Sequence, residues 1–464
     1  DGKPVIYEKR VIACETRLAD LLAARVHSED MTGTDLDGLI ASSAQAVGIP
    51  TLHEHQAVAI RTALSSRISV ITGGPGSGKT ASVNVLLHAF EAAEGPSRIA
   101  LCAPTGRAAQ RLFESTGRDA STIHRMLQYA PDMGGFTYDA DNPLDIDLIV
   151  VDESSMLDIW LARDLISAIP AHARIVLVGD VDQLPSISQG RVLGDIVDSG
   201  CIPVARLTQV FRQESGSQIS QAAAKINQGV MPRLPRPSRS SDMWGVYEED
   251  PENALDILKR MITRIGPELG LDMRRDVQVL TAGHNGTLGT QNVNRMLQDA
   301  LNPLPPGGEE IEVKARRFRE GDRVIQTTNN YKLDVFNGDI GQIRRIDKKK
   351  TLKTSRMIVD FDGVEVEYTD TALGELQLAY AITVHKSQGS EFPFVVFLAT
   401  TQHYTMLRKT LVYTAITRAR RACAVLGQEN ALRISLKRTE AGRVTGLSGR
   451  LTRLAYQPLD LDSL

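Results

Sequence analysis

Ile68-Ser-Val-Ile-Thr72 runs directly into Gly73-Gly-Pro-Gly-Ser-Gly78-Lys79-Thr80. A short β-branched run of this kind predicts a buried strand, and the residues from Thr80 to Glu94 predict a helix after it. The glycines fit the G-x-x-x-x-G-K-[ST] pattern, in which a tight turn aims successive backbone N–H groups at one anion. The helix adds the positive end of its dipole. The stretch therefore predicts a phosphate-binding loop in an α/β domain.

The same loop predicts a bound nucleotide with a β- and a γ-phosphate. Lys79 would reach the β- and γ-phosphates, and Thr80 would supply a hydroxyl to Mg²⁺. Gln56 lies in a predicted helix before the loop, and its amide can both donate and accept, as the edge of adenine requires. A glycine-rich turn without a ligand and a solvated glutamine are the alternatives. The other predicted phosphate contacts are Gly74, Gly76, Ser77 and Gly78.

Polar residues follow two further predicted strands. The strand Ile146–Val151 ends at Asp152 and Glu153, which would hold Mg²⁺ and polarise the attacking water. The strand Arg174–Val178 leads to Gln183, whose amide suits sensing of a γ-phosphate. A solvated turn is the alternative for the two acidic residues. Farther on, Arg212 is a candidate to stabilise the charge on the transferred phosphoryl group.

Composition sets bounds on the class of protein. The chain has 464 residues, a formal net charge of −3 and four cysteines without a C-x-x-C pair. This length predicts two to four domains, and the cysteines argue against a zinc site and a disulfide framework, so we expect a reduced, intracellular protein. No apolar run approaches the roughly 18 residues of a membrane span. The start, Asp1-Gly-Lys-Pro, shows no signal peptide and suggests that residues upstream are missing.

Three later segments predict the rest of the architecture. Gly134-Gly135 between aromatic residues predicts a hairpin at about 129–143. Short alternating runs with turn signals predict a small antiparallel barrel at 311–371. A second α/β unit is predicted from four runs, Val277–Thr281, Leu376–Val384, Val395–Ala399 and Cys423–Leu426.

At this point the sequence resembles superfamily 1 helicases of the RecD-like branch over roughly residues 50–430. Six blocks occur in the order of that family's motifs: Gly73–Thr80, Asp152–Glu153, Gly179–Gln183, Val210–Gln213, Thr383–Glu391 and Tyr413–Arg421. The resemblance implies an α/β fold with two RecA-like P-loop domains, an inserted hairpin and an inserted barrel. The implied divisions are an N-terminal helical segment at 1–48, a first RecA-like domain at 49–212, a second at 213–310 and 372–464, and the barrel at 311–371.

The resemblance also implies site residues. The implied catalytic residues are Lys79, Glu153, Gln183, Arg212 and Arg418, the last two as arginine fingers; Glu391 joins the ATP contacts, and Thr80 and Asp152 hold the metal. The implied DNA contacts are Pro104, Thr105, Arg107, His124, Thr383, His385 and Lys386, with Tyr331, Phe336 and Asn337 on the barrel as weaker candidates. Apart from the resemblance, Pro104–Arg107 at a helix start suits a phosphodiester backbone or a mere turn and cap.

The implied activity is 5′→3′ movement on single-stranded DNA and unwinding of forked or tailed duplexes, with the hairpin as a separation pin. A monomeric motor acting in DNA repair or recombination, in a bacterial-type cytoplasm and on the nucleoid, would follow. Three alternatives stay open: an NTPase switch without unwinding, a passive single-strand-binding module and an RNA-directed helicase. Longer relatives carry an additional N-terminal region, of which this chain has only a short helical part.

Overall fold

The computed structural model describes residues 8–26, 35–49, 51–130, 134–209, 217–238, 240–265, 270–330, 332–349, 355–438 and 445–456. Their contacts divide the chain into two compact units. The first unit is built from residues 8–104, 108–209 and 445–456, and the second from 105–107 and 217–438.

A six-stranded sheet forms the centre of the first unit. Its strands and those of a small hairpin are β1 (Ile68–Gly73), β2 (Ile99–Ala103), β3 (Ala120–Thr122), β4 (Tyr129–Ala130), β5 (Gly135–Phe136), β6 (Leu148–Val151), β7 (Arg174–Gly179) and β8 (Val204–Leu207). The sheet order is β3-β2-β6-β7-β1-β8, and every pair in it is parallel. Parallel order requires crossover helices, which cover both faces of the sheet.

Side chains alternate between two cores along the buried strands. On β6, Ile149 and Val151 belong to one apolar cluster, and Leu148 and Val150 belong to the other. The helices that enclose these clusters are Lys9–Val26, Leu36–Ala46, Glu54–Ser65, Lys79–Glu94, Gly106–Thr116, Ile123–Met126, Ile159–Ala168, Val192–Ser199 and Leu447–Tyr456. The predicted doubly wound α/β architecture is therefore confirmed for this unit.

The second unit contains a second parallel sheet and an inserted antiparallel one. Its strands are β9 (Met243–Tyr247), β10 (Val277–Thr281), β11 (Glu310–Val313), β12 (Arg316–Arg319), β13 (Arg323–Gln326), β14 (Ile340–Asp347), β15 (Arg356–Phe361), β16 (Val364–Thr369), β17 (Leu376–Leu378), β18 (Ala381–Thr383), β19 (Phe392–Ala399) and β20 (Ala419–Gly427). The parallel order is β18-β10-β19-β20-β9. The antiparallel order is β16-β15-β14-β13-β17, which agrees with the predicted inserted barrel. The α-helices are Gln218–Asn227, Pro251–Arg260, Thr290–Leu301, Lys409–Thr417 and Glu429–Lys437.

Two predicted boundaries differ in the structure. The run predicted as one strand, Leu376–Val384, is divided: β17 pairs with β13 in the antiparallel sheet, whereas β18 pairs with β10 in the parallel sheet. The second domain was expected to extend to 464, but helix Leu447–Tyr456 belongs to the first unit, where Leu447 and Leu451 are fully buried. Burial of its leucine face against helices Lys9–Val26 and Val192–Ser199 explains that return.

The expected N-terminal helical segment is likewise integrated in the first unit. Cys14, Leu18 and Leu22 of helix Lys9–Val26 lie in the core that also contains β1 residues. None of the helices in the described part of the chain is both long and apolar enough to cross a membrane.

Candidate nucleotide site and nucleic-acid contacts

The phosphate loop has the backbone that its glycines predict. Gly76 and Gly78 adopt positive φ angles of 73° and 86°, which side chains other than glycine rarely tolerate. At Gly73 an added Cβ would lie 2.7 Å from both Leu207 O and Ser77 Oγ. Gly78 caps helix Lys79–Glu94 without a side-chain hydrogen bond, so no side chain of the cap competes for the helix's first N–H groups. The loop therefore meets the geometric requirements of an anion cradle.

Lys79 and Ser77 place polar groups inside this cradle. Lys79 Nζ donates to Gly73 O at 2.6 Å and to Gly74 O at 3.0 Å, so the ammonium lies over the loop. Ser77 Oγ is buried and has no hydrogen-bond partner among the described residues. An ammonium and an unpartnered hydroxyl in a ring of backbone amides fit the oxygens of a phosphate chain.

Asp152 and Glu153 follow the carboxyl end of β6. Glu153 has a left-handed backbone, with φ of 50°, and its N–H donates to Asp152 Oδ1 at 2.8 Å. Burial and the charge of Glu153 raise the pKa of Asp152 to about 6, although Lys79 acts in the opposite direction. The Asp152 carboxylate and the exposed Thr80 hydroxyl both offer oxygen atoms, the kind of ligand that Mg²⁺ prefers. Within the described ranges no group of three or more His, Cys, Asp or Glu side chains forms a metal cage.

Gln183 is held in place by Asp180, for which the sequence predicted no role of its own. Its Nε2 donates to Asp180 Oδ2 at 3.1 Å, and Asp180 is buried. Burial raises the pKa of Asp180, while Lys79 and the Gln183 hydrogen bond oppose that rise. In the same turn, Val181 N donates to Thr72 Oγ1 at 3.3 Å. A carboxylate that ends a parallel strand was the available signal for Asp180.

The sheet order explains why these residues meet. Strands β6, β7 and β1 are neighbours, and Thr72 is paired with Gly179 at their common carboxyl edge. Lys79, Asp152 and Gln183 each follow one of these strand ends, so parallel pairing gathers them at one edge.

Gln56 has a structural role beside the loop. Its Oε1 accepts from His53 N at 3.1 Å as part of a capping box, and its Nε2 donates to Gly78 O at 3.4 Å. The side chain is buried. Its predicted contact with adenine stays a prediction.

The candidate DNA contacts after strand β2 belong to different units. Pro104 follows β2 in the first unit, whereas Thr105 and Arg107 group with the second. There the Arg107 guanidinium lies 5.6 Å from the centroid of the Phe392 ring. His124 lies in the first unit, against Tyr129 and Phe136 of the hairpin.

Thr383, His385 and Lys386 lie together in the second unit, where β18 ends. Lys386 N donates to Thr383 Oγ1 at 3.4 Å, and its Nζ donates to Gln377 Oε1 at 3.1 Å. Burial, with a smaller effect of Arg316, lowers the pKa of Lys386. His284 follows β10, the strand paired with β18. Desolvation of its ring lowers the pKa of His284, and the charges of Lys386 and His403 act in the same direction.

The barrel loop that carries Phe336 and Asn337 is ordered by its own hydrogen bonds. Phe336 N donates to Asp339 Oδ2 at 2.7 Å, and Asn337 N donates to Asn329 Oδ1 at 3.0 Å. Tyr331, the third candidate, lies outside the described residues. The DNA role of this loop stays a prediction.

Of the two predicted arginine fingers, Arg418 is among the described residues and Arg212 is not. Arg418 is 1% exposed, and its Nη1 donates to Ser390 O at 3.2 Å within the second unit. The neighbouring Glu391 pairs with Arg420 at 3.1 Å. Arg212 lies outside the described residues. Roles for Arg418, Glu391 and Arg212 at the nucleotide stay predictions.

Three family descriptions match separate parts of the chain. Residues 56–189 match an AAA domain, and residues 293–361 match the ATP-dependent RecD-like DNA helicase SH3 domain. Residues 378–426 match the UvrD-like helicase C-terminal domain. The matched segments contain the phosphate loop, most of the inserted barrel and the predicted finger Arg418, respectively.

Two curated relatives align with most of the chain. The ATP-dependent RecD2 DNA helicase of Deinococcus radiodurans is 35% identical over 455 residues, which are 97% of this chain and 59% of the relative. The RecBCD enzyme subunit RecD of Mycolicibacterium smegmatis is 33% identical over 432 residues, which are 86% of this chain and 75% of that subunit. The chain thus spans just under three fifths of the Deinococcus protein.

Among solved structures, that of Bacteroides Pif1 bound to single-stranded DNA resembles this fold. The TM-score is 0.50 with 17% sequence identity, and the match covers 81% of this chain and 92% of the Pif1 chain. At that identity the likeness concerns the fold alone.

Proposed function

The chain belongs to the RecD-like family of helicases, and from this premise we propose that it is an ATP-dependent DNA helicase. In this proposal it moves 5′→3′ along single-stranded DNA, separates forked or tailed duplexes, and acts in DNA repair or recombination. The observation that carries the proposal is the grouping of Lys79, Asp152 and Gln183 at adjacent strand ends beside the glycine loop.

Each of these residues has a proposed task in ATP hydrolysis. Lys79 neutralises the β- and γ-phosphates, and the loop amides orient them. Glu153 accepts a proton from the attacking water, since a carboxylate beside a phosphate loop can serve as a general base. Gln183 senses the γ-phosphate, and Arg212 and Arg418 stabilise charge on the transferred phosphoryl group. Thr80 and Asp152 would hold Mg²⁺, which supplies charge neutralisation when it is bound.

DNA binding is proposed for half-buried groups of both units and for the buried Thr383. Pro104 in the first unit and Thr383, His385 and Lys386 in the second contact the sugar-phosphate backbone. Such contacts carry little sequence information, so binding should weaken with salt and depend little on base sequence. The hairpin of β4 and β5 is the proposed separation pin, and the barrel loop with Phe336 supplies further contacts.

A strand-displacement assay tests this function. Duplexes with a 5′ tail, a 3′ tail or a 5′ RNA tail are mixed with protein and ATP, and release of the labelled strand is measured. We expect displacement of the 5′-tailed DNA duplex, because family membership implies that polarity, and none with Lys79→Ala. Single-strand-stimulated ATPase without displacement would favour an NTPase switch, and binding without turnover would favour a passive module. Faster displacement from the RNA tail would favour an RNA-directed enzyme.

A further inference from the structure

The hairpin of β4 and β5 has a short ladder in its described part. Residues 129–130 and 134–136 form two pairs there, Tyr129 with Phe136 and Ala130 with Gly135. Two-stranded hairpins alone are marginally stable in water, even when they are longer than this one. A hairpin that meets a duplex therefore needs support from the unit that carries it.

Three aromatic side chains meet at the base of the hairpin. Tyr129 and Phe136 lie opposite each other on the two strands, and their ring centroids are 5.3 Å apart. The His124 ring is 6.1 Å from Tyr129 and 5.7 Å from Phe136, at interplanar angles of 78° and 54°. These distances and tilted orientations are those of favourable aromatic contacts. We call His124, Tyr129 and Phe136 the aromatic root.

Backbone hydrogen bonds fix the strand that leaves the hairpin. Thr137 N and Tyr138 N both donate to Leu127 O, at 3.1 and 3.2 Å. Leu127 is fully buried in the core of the first unit, and Phe136 and Tyr138 pack against that core. The chain enters the hairpin through Gln128, which has a φ of 53°. The strand that leaves the hairpin is therefore anchored at its base.

Within the aromatic root, His124 is the residue that lies next to the edge of the parallel sheet. It lies on the short helix Ile123–Met126, which directly follows edge strand β3 and is capped by the Thr122 side chain. The ring is half-buried, and burial lowers the pKa of His124, although the charges of Asp158 and Asp164 oppose that effect. Its two described ring contacts are with hairpin residues. A ring enclosed by two other aromatic rings is better suited to packing than to charge pairing with a phosphate.

We propose that the aromatic root fixes the separation pin, and that His124 is a positioning residue for strand separation and not a DNA contact. The inference rests on the proposed helicase function and revises the role expected for His124 from the sequence. Its consequence is that strand separation and ATP turnover become separable: loosening the root impairs the first and spares the second.

The test uses four variants of the full chain. His124→Ala and Phe136→Ala remove ring contacts, His124→Phe keeps a ring but removes both nitrogens, and Phe113→Ala removes an exposed aromatic side chain elsewhere in the first unit. Strand displacement, single-strand-stimulated ATPase, single-strand affinity and Tm are measured for each. We expect the two root-alanine variants to lose displacement by about tenfold, which corresponds to loss of two aromatic contacts. Their ATPase, and all activities of His124→Phe and Phe113→Ala, should stay near wild type.

Several results would overturn the inference. Loss of single-strand affinity in His124→Phe, equal to that in His124→Ala, would mean that the imidazole contacts DNA. Wild-type displacement by Phe136→Ala would mean that the root does not fix the pin. A parallel loss of ATPase and Tm would indicate a merely structural role. If the wild-type chain itself displaces no strand, the proposed function fails and the inference fails with it, a result distinct from the other three.

Discussion

Gln183 and Asp180 form a hydrogen-bonded pair, with Gln183 Nε2 donating to Asp180 Oδ2 at 3.1 Å. Both side chains are buried, and they lie in the turn that follows β7, beside the phosphate loop. The proposed γ-phosphate sensor is therefore held by a buried carboxylate before any nucleotide arrives. Such preorganisation reduces the entropy that must be lost when the catalytic geometry forms.

Removing Asp180 should impair turnover by releasing Gln183. We expect Asp180→Ala to lower kcat of the single-strand-stimulated ATPase by about tenfold, as for loss of one charge-assisted hydrogen bond. Gln183→Ala should have a similar effect, and the double variant should be no worse, because the two residues act as one unit. Asp182→Ala is the matched control in the same turn. Additive losses in the double variant would contradict this pairing.

Variants at Lys79 and Glu153 should lose different steps of the ATPase reaction. Lys79→Ala removes the ammonium that lies over the loop, so both nucleotide affinity and hydrolysis should be lost. Glu153→Gln keeps the shape of the side chain but removes the base, so it should bind a fluorescent ATP analogue normally and hydrolyse ATP about 10²–10⁴-fold more slowly. Binding titrations and steady-state ATPase assays separate the two effects. Unchanged turnover in either variant would disprove its assignment.

Asp152 should make stability depend on pH. Folding raises the pKa of this carboxyl group from its ordinary value of 3.8 to about 6. With a pKa shifted in this direction, the group's contribution to the free energy of unfolding is fully present below its ordinary pKa. That contribution is lost as the pH rises through about 6. Asp152→Asn cannot ionise, so without nucleotide its Tm should exceed that of wild type at about pH 8 and match it at about pH 4. Equal Tm differences at both pH values would contradict the predicted ionisation.

The helix Leu447–Tyr456 should stabilise the first unit. Leu451 is fully buried, so Leu451→Ala should lower the free energy of unfolding of that unit by about 2–5 kcal/mol. Arg453→Ala, on the exposed side of the same helix, should change it by less than about 0.5 kcal/mol. Urea denaturation in a Trp244→Phe background follows the first unit, because Trp160 is then the only tryptophan. Similar shifts for the two variants would contradict the packing of this helix.

The buried Glu15 joins helix Leu447–Tyr456 to the first unit through contacts that are distant in sequence. Gly446 N donates to Glu15 Oε2 at 3.0 Å, and Arg450 Nε lies 3.8 Å from the same oxygen. These partners are more than 430 residues apart in the chain. No local pattern relates a glutamate of the first helix to residues of the last.

Elements with local signals can be predicted from the order of the amino acids. Glycines at 73–78 must form a tight anion-binding turn, and β-branched runs that end in Asp152 or Gly179 must form buried parallel strands, because backbone sterics and side-chain periodicity act over a few residues. Which distant groups come into contact is visible only in the three-dimensional fold. It divided 376–384 between two sheets, paired Gln183 with Asp180, enclosed His124 among hairpin aromatics and returned the last helix to the first unit. Those outcomes depend on burial and hydrogen-bond satisfaction across the whole fold, which adjacent residues do not specify.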